Sequence, residues 1–574
     1  VDHKNAAGGA EPHSGQDSAQ GGSQGASRDS ARLFRYAQFF PPARPVLEDI
    51  SAQIGLGWRH RENSFIDFSY QYLIPHMEST RGPRLAVGDV NKDGLDDLFV
   101  CGAKGQPGEL MIQTRDGKFI SSDTAVFYKN RMCEGVDAIF FDVNNDGWPD
   151  LFVVSGGNEY EDGNPGLADH LYLNDGKGHF RESPPDRLPA ILTNKSCVAI
   201  ADVNKDGYND IFIGGLANAK KFGYAQSSWL LLNDGKGGFQ RAAEAVIPLK
   251  ETGMVTAAAF ADLNKDGWPD LVIAGEWMPV KIFMNDKGVL KPTAIGGSTG
   301  FWQTICMTDL NGDGYPDILA GNWGHNSKLY AGKNGPLKLY VKDFDKNGTV
   351  EQVETYTIDG KEYTFLPKDE LERALPVLKK AYLTYGEVAG KTVDYMFFDL
   401  FKDYTELKAE TLGSSAFIND GKGNFTRREL PEELQLSPIF AFQPLWKEKA
   451  VEGQGSQVPA SQTQAPQALR RSFLTGGNFS GVLPYEGGYD AASLQLFTMG
   501  GGPGPASGVD RPGPGGSGAG VSGPGASDKL AGKTRLLDTK GEIRDLKGLH
   551  TAKYGDILVA ARNNNSLLFL GYTK

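Results

Sequence analysis

The nine residues from Asp89 to Asp97, DVNKDGLDD, recur as DVNNDGWPD at 142–150, DVNKDGYND at 202–210, DLNKDGWPD at 262–270 and DLNGDGYPD at 309–317. A looser sixth copy, DFDKNGTVE, occupies 343–351. No other feature constrains the chain as tightly, because every copy holds oxygen-bearing side chains in one register. Position 1 is Asp89, Asp142, Asp202, Asp262, Asp309 and Asp343, and position 3 is Asn91, Asn144, Asn204, Asn264, Asn311 and Asp345. Position 5 is Asp93, Asp146, Asp206, Asp266, Asp313 and Asn347, and position 9 is Asp97, Asp150, Asp210, Asp270, Asp317 and Glu351. Ca2+ takes about six to eight oxygen ligands and tolerates irregular geometry. A loop this short wraps an ion only by turning sharply, which the glycine at position 6 permits. The pattern predicts Ca2+ ligation by side chains 1, 3, 5 and 9 and by the carbonyl of position 7. That carbonyl belongs to Leu95, Trp148, Tyr208, Trp268, Tyr315 and, in the sixth copy, Thr349. A plain Asp-Asn-Gly turn explains one copy; it does not explain four ligand positions kept through five.

The flanks show which kind of calcium loop this is. An EF-hand places a bidentate Glu at position 12 between two helices. Here position 12 is Val100, Val153, Ile213, Ile273 and Ala320, inside short Val, Ile and Phe-rich runs that read as buried strands. Each unit is strand, calcium loop, strand. The sixth copy also fits an EF-hand through Glu354, but the VETYTIDG that contains this residue reads as strand and turn.

Loop starts lie 53, 60, 60, 47 and 34 residues apart. Units of about this size with four short strands are the signature of a β-propeller. Outer hairpins recur as LYLNDGKGHF, LLNDGKGGF, MNDKGVL and FINDGKGNF. Two further inner hairpins lack the motif: SPIFAFQPLW with RRSFLTGGN, and GLHTAKYGDILVAARNNNSLLFLGY at the C-terminus. The fold class is therefore all-β, a seven-bladed propeller over 46–574. The seventh blade lacks a fourth strand, which we expect from Ser64–Leu73, so that the ring closes without an open edge.

Residues 343–410 break the rhythm. Leu371, Leu375 and Leu378 keep helical spacing, with Asp369 as a cap and Pro376 as a break, and predict a small helical insertion. Residues 1–32 are Gly, Ser and Gln-rich and read as a flexible tail, and 33–45 as an aromatic strap. Residues 451–468 and 500–529 read as low-complexity loops. Trp148, Tyr208, Trp268 and Tyr315 are expected to pack their rings against the next blade.

The net charge of −12 argues against a nucleic-acid partner, and six divalent ions would bring it to zero. Cys101, Cys133, Cys197 and Cys306 show no CxxC spacing and read as free thiols. No apolar run reaches the length of a membrane span. The chain starts without Met or a signal-peptide core and reads as a mature or trimmed product. No catalytic constellation emerges: the eight histidines form no metal-ligand pair, and GxSxG is absent. His325 reads as a turn residue or a ligand contact on one face.

With D-x-N-x-D-G-x-x-D set between apolar strands at blade spacing, the chain resembles the FG-GAP/VCBS propeller family, which includes integrin α-chain heads and the cartilage acidic protein group. The order LEDISAQIGLGW, GPRLAVGDVNKDGLDDLFV, DFDKNG and DELERALPVLKK is similar to secreted or surface VCBS-repeat proteins of Bacteroidetes. The resemblance implies a non-catalytic protein, extracellular or on a bacterial outer-membrane surface. Its partner would be a protein or glycan, or it would serve as an accessory subunit of an outer-membrane assembly. The alternative is a calcium-dependent polysaccharide lyase.

Overall fold

Seven antiparallel sheets, each with a four-stranded path, form the body of the described residues; in sheet IV, Gly300–Phe301 adds a short fifth strand. Sheet I comprises Leu85–Gly88, Asp97–Val100, Glu109–Gln113 and Phe119–Ser122; sheet II comprises Glu134–Phe141, Asp150–Gly156, His170–Asn174 and Phe180–Glu182. Sheet III is Lys195–Ala201, Asp210–Gly215, Trp229–Asn233 and Phe239–Arg241; sheet IV is Met254–Ala261, Asp270–Met278, Lys281–Asp286 and Val289–Ala294. Sheet V is Thr304–Thr308, Asp317–Gly321, Ser415–Asn419 and Phe425–Glu429; sheet VI is Ile439–Pro444, Ser472–Gly477, Leu494–Met499 and Gly532–Leu537. Sheet VII is Glu542–Thr551, Gly555–Asn563, Leu568–Tyr572 and, from the other end of the chain, Leu47–Asp49. The computed structural model describes residues 46–573 except 251, 330–331, 334, 446–470, 484 and 501–528. The expected tail, the strap and almost all of both low-complexity loops lie outside the described residues.

Second strands read as unbroken apolar runs because both their faces are covered; all seven residues of Asp150–Gly156 are buried. Neighbouring sheets share cores. Phe99 and Leu110 of sheet I pack with Phe140, Leu151 and Tyr172 of sheet II, and Leu98 and Met111 pack with Leu549, Ile557 and Phe569 of sheet VII. First strands touch in a closed cycle from I to VII and back to I. They surround a cavity of about 450 Å³ lined by Arg84, Asp137, Thr256, Gln443 and Lys547, among others. Polar side chains on these strands tie one sheet to the next. Asp137 accepts from the Val198 amide at 2.9 Å, Asp545 accepts from Leu85 at 2.9 Å, and Thr256 donates to the Trp302 carbonyl at 2.8 Å. The chain is an all-β propeller.

Three expectations need correction. Sheet VII is completed by Leu47–Asp49, with Leu47 opposite Tyr572, and not by Ser64–Leu73. In the latter segment Asp67 is buried and accepts from Asn158 Nδ2 at 2.7 Å and Ser79 Oγ at 2.5 Å, so side-chain bonds to other segments hold it in place of a strand ladder. The insertion is mixed rather than simply helical. Between the second and third strands of sheet V lies a further sheet containing Leu337–Lys342, Glu351–Ile358, Lys361–Thr364 and Thr405–Ala409, with short helices at Lys368–Ala374, Pro376–Ala381, Tyr385–Val388 and Val393–Phe397. Asp369 stands in the first turn of its helix and does not cap it, while Pro376 opens the next helix as expected. None of the four cysteines is in a disulfide, and Cys101 and Cys197 are buried. Among the described residues no helix is long and apolar enough to cross a membrane.

Candidate metal centre

The first five repeated loops join the first and second strands of sheets I to V. Loop three shows the common geometry. Asp202 accepts from the amides of Asp206 (3.1 Å) and Gly207 (2.8 Å), Asn204 Oδ1 from Asp206 (3.0 Å), and Asp206 Oδ1 from Tyr208 (2.9 Å). Gly207 sits at φ +91°, which a Cβ would oppose. Asp210 accepts from the Val203 amide at 3.1 Å and from the Asn233 amide at 2.8 Å. The same bonds recur around Asp89, Asn91, Asp93 and Asp97, around Asp142, Asn144, Asp146 and Asp150, and around Asp262, Asn264, Asp266 and Asp270. In the fifth loop Asp309 accepts from Gly312 and Gly314, Asn311 from Asp313, Asp313 from Tyr315, and Asp317 from Leu310 and Asn419.

The amides thus aim the oxygens of positions 1, 3 and 5 into the turn. Position 9 closes it from a fully buried site: Asp97, Asp150, Asp210, Asp270 and Asp317 are all 0% exposed. Burial pushes each of these carboxyls up to about 7, against the pull of its two amide donors. In the first four loops no acid makes an ion pair with Lys or Arg among the described residues. Oxygen-only donors, three of them acidic and without a counter-cation, fit a hard divalent ion.

The sixth loop is the turn of the insertion hairpin, between Leu337–Lys342 and Glu351–Ile358. One oxygen each of Asp343, Asp345 and Glu351 lies within 4.8 Å of the others. Asp345 Oδ1 and Glu351 Oε1 are buried without a partner, so this loop also fits a cation. Asn347 accepts from the Thr349 amide and Asp343 from Asn347 and Gly348.

The position-7 rings of Trp148, Tyr208 and Tyr315 pack on Gly176, Gly235 and Gly421 of their own sheet's outer hairpin. Lysines of the preceding loop cover three of the four: Lys92 Nζ lies 4.3 Å from the Trp148 ring, Lys205 4.5 Å from Trp268 and Lys265 4.1 Å from Tyr315. In the remaining junction, Asn145 Nδ2 donates to the Gly207 carbonyl at 2.8 Å. Residue 4 of each of the first four loops therefore touches the next loop.

Sequence reasoning missed the Asn of the outer hairpins. Asn174, Asn233, Asn285 and Asn419 each hold their own sheet's position-9 carboxylate by the backbone amide. Their side chains donate to the position-2 carbonyl of the preceding loop, at 2.9, 2.8, 2.9 and 2.9 Å. The signal was present as a recurring Asn-Asp pair ahead of a Gly, N-D-G in three hairpins and N-D-K-G in the fourth, but it reads as a turn. His325 is a paired residue, with Nε2 3.0 Å from Glu429 and Nδ1 3.6 Å from Glu432.

The FG-GAP-like repeat model matches residues 89–153, 142–213, 218–273 and 262–320. Integrin alpha-6 of Gallus gallus is 28% identical over 158 residues, covering 26% of this chain and 14% of its own. Integrin alpha pat-2 of Caenorhabditis briggsae is 25% identical over 230 residues, covering 34% and 18%. The chain thus spans under a fifth of the length of these relatives. The crystal structure of the V. cholerae biofilm matrix protein Bap1 overlaps with a TM-score of 0.35 at 10% identity, covering 90% of this chain and 91% of that one, too loose a fit to bear on function. Four matched repeats, each built on the same acid-lined loop between two strands, together with the similarity to integrin α-chains, support an FG-GAP-type β-propeller.

Proposed function

We propose that this chain is a seven-bladed, calcium-stabilised, non-catalytic propeller that acts outside the cell or on a bacterial outer-membrane surface and binds a protein or glycan. The observation that carries the calcium reading is the hydrogen-bond pattern of the loops, which orients acidic oxygens inward, in the first four loops with no Lys or Arg paired to them among the described residues. Ca2+ is held by the residues at positions 1, 3, 5, 7 and 9 of five loops, with a sixth ion at Asp343, Asp345, Asn347, Thr349 and Glu351. Calcium is abundant outside cells, which supports that setting.

The insertion supports the binding role. Leu383 and Phe398 are 81% and 83% exposed, and Tyr385 and Tyr395 over half exposed. Tyr395 also lines a cavity of about 630 Å³ together with Tyr340, Tyr363, Phe401 and Tyr404. Large apolar side chains left exposed on one insertion support its reading as an interaction surface. The test compares the protein with its Leu383→Ser/Phe398→Ser variant on a glycan array and in pull-downs from the native surface fraction. Binding by the first and not the second is expected; equal binding would move the partner surface elsewhere. Ultraviolet-absorbing unsaturated products from uronic-acid polysaccharides would replace this reading with a lyase.

A further inference from the structure

One end of sheet II gathers a thiol, an imidazole and a carboxylate that the repeated loops do not use. Each strand supplies one group. Cys133 stands just before the first strand, Ser155 lies on the second, His170 opens the third and Glu182 ends the fourth. Antiparallel pairing brings these positions together: Gly135 is opposite Ser155, Val153 opposite His170, and Tyr172 opposite Glu182. Cys133, Ser155 and His170 line one cavity of about 20 Å³.

His170 is held along one edge of its ring. Nδ1 lies 3.0 Å from Glu182 Oε1, which also accepts from Asn130 Nδ2 at 2.8 Å. Nε2 is buried with no hydrogen-bond partner, and so is the Oγ of Ser155, a residue 1% exposed. Two orphan polar atoms on one small space call for a small polar guest. Burial pulls the ring's pKa down, but Cys133 and Glu182 outweigh it and raise it to about 9. The imidazole is thus fitted to hold the proton that a thiol gives up, with Glu182 fixing its orientation.

Cys133 is only partly buried, and its Sγ reaches the Pro165 carbonyl at 3.7 Å in an exposed setting. Cys101 lines the same cavity, but it is 1% exposed, and burial pushes its thiol well above the usual range. A partly exposed thiol beside a protonated imidazole is the setting of a reactive cysteine, whereas a thiol buried among apolar groups is inert. About 10–15 Å³ suffices for one water. The cavity therefore admits a reagent of one or two heavy atoms, not a peptide or a sugar. We propose that Cys133, with His170 as its base and Glu182 orienting the ring, is a stoichiometric oxidation site for hydrogen peroxide. The thiol proton moves to His170 Nε2, the sulfur attacks one peroxide oxygen, and the O–O bond breaks. The leaving hydroxide takes the proton from the ring and departs as water. Sulfur loses two electrons and becomes a sulfenic acid, while the peroxide is reduced.

The experiment treats the full-length protein in Ca2+ buffer with hydrogen peroxide, traps sulfenic acid with dimedone and quantifies each cysteine by peptide mass spectrometry. Cys306, the other partly buried thiol, is the internal reference. Cys133 should be labelled about tenfold faster than Cys306 or more. His170→Asn should bring Cys133 down to the reference rate with Cys306 unchanged, and Glu182→Gln should slow it severalfold. Equal labelling of the two cysteines, or a Cys133 rate that His170→Asn leaves unchanged, would overturn the site. Preferential reaction of Cys133 with iodoacetamide but not with peroxide would overturn the choice of oxidant. If His170→Asn does not fold, Glu182→Gln, at the end of the outer strand, decides: undiminished labelling of Cys133 in that variant refutes the proposal.

Discussion

The side chain of Asn233 bridges two sheets: Nδ2 reaches the Val143 carbonyl of the second loop at 2.8 Å and the Asn209 carbonyl at 3.2 Å, while Oδ1 accepts from Gly235 at 3.0 Å. All of this is buried, and a buried polar group left unmatched costs about 1–3 kcal/mol. Asn233→Ala should lower stability by about 2–4 kcal/mol in urea unfolding. Asp286→Ala removes only an exposed pair with Lys291 and should leave the midpoint unmoved. The turn made by Asn-Asp-Gly was legible locally; its bond to a loop about ninety residues earlier in the chain was not, because no local pattern encodes a non-local partner. His76 makes a second residue-scale prediction. It lies 3.1 Å from Glu276 and 3.2 Å from Glu78, with Glu354 and Arg81 also near. Burial opposes its charge, but Glu276 and Glu78 outweigh it and raise the ring above 6.5, while Glu276, despite its own burial, is held near 2 by His76 and Arg81. A raised pKa stabilises the fold fully below 6.5, and that contribution is lost as pH rises through the folded value. In Ca2+-saturated buffer the stability gap between the protein and His76→Gln should therefore narrow as pH rises above 7; a constant gap would mean the ring is neutral when folded.

At the scale of elements, Leu47–Asp49 is three residues long yet closes sheet VII, with Glu48 opposite Gly571 and Ile50 packed on Gly571. An open final strand is a template for edge pairing between molecules. A chain beginning at Ser51 should aggregate on heating and melt well below one beginning at Leu47, by light scattering and calorimetry. Equal behaviour would mean the ring does not depend on this strand. The sequence pointed to Ser64–Leu73 because that stretch is aromatic and of strand length, whereas Leu-Glu-Asp looks like the approach to a helix. Three residues carry too little periodicity to register as a strand. The insertion misled for a related reason. Its leucine spacing is legible as helix, but Leu337–Lys342 and Thr405–Ala409 pair across more than sixty residues, and each alone is ambiguous.

For the whole molecule, binding only to the native state adds RT ln(1 + [L]/Kd), about 2.7 kcal/mol per site at a hundredfold excess over Kd. Several sites distributed round one ring should make chelation a global perturbation. EDTA should lower the melting temperature by many degrees and added Ca2+ restore it, while Asp202→Ala should remove part of that response. A melting curve indifferent to EDTA, with no calcium in the protein, would sink the calcium reading. What the sequence determined by itself is whatever repeats at short range. The spacing of Asp, Asn and Gly within each loop and the apolar runs on either side specify strand, acid-lined turn and strand wherever they occur, since those bonds join residues at most seven apart. Only the tertiary structure decided which strand seals the ring and which residues staple each loop to the next. Those contacts join residues tens to hundreds apart, and they arise only when closure of the ring brings non-repeating segments to the same place.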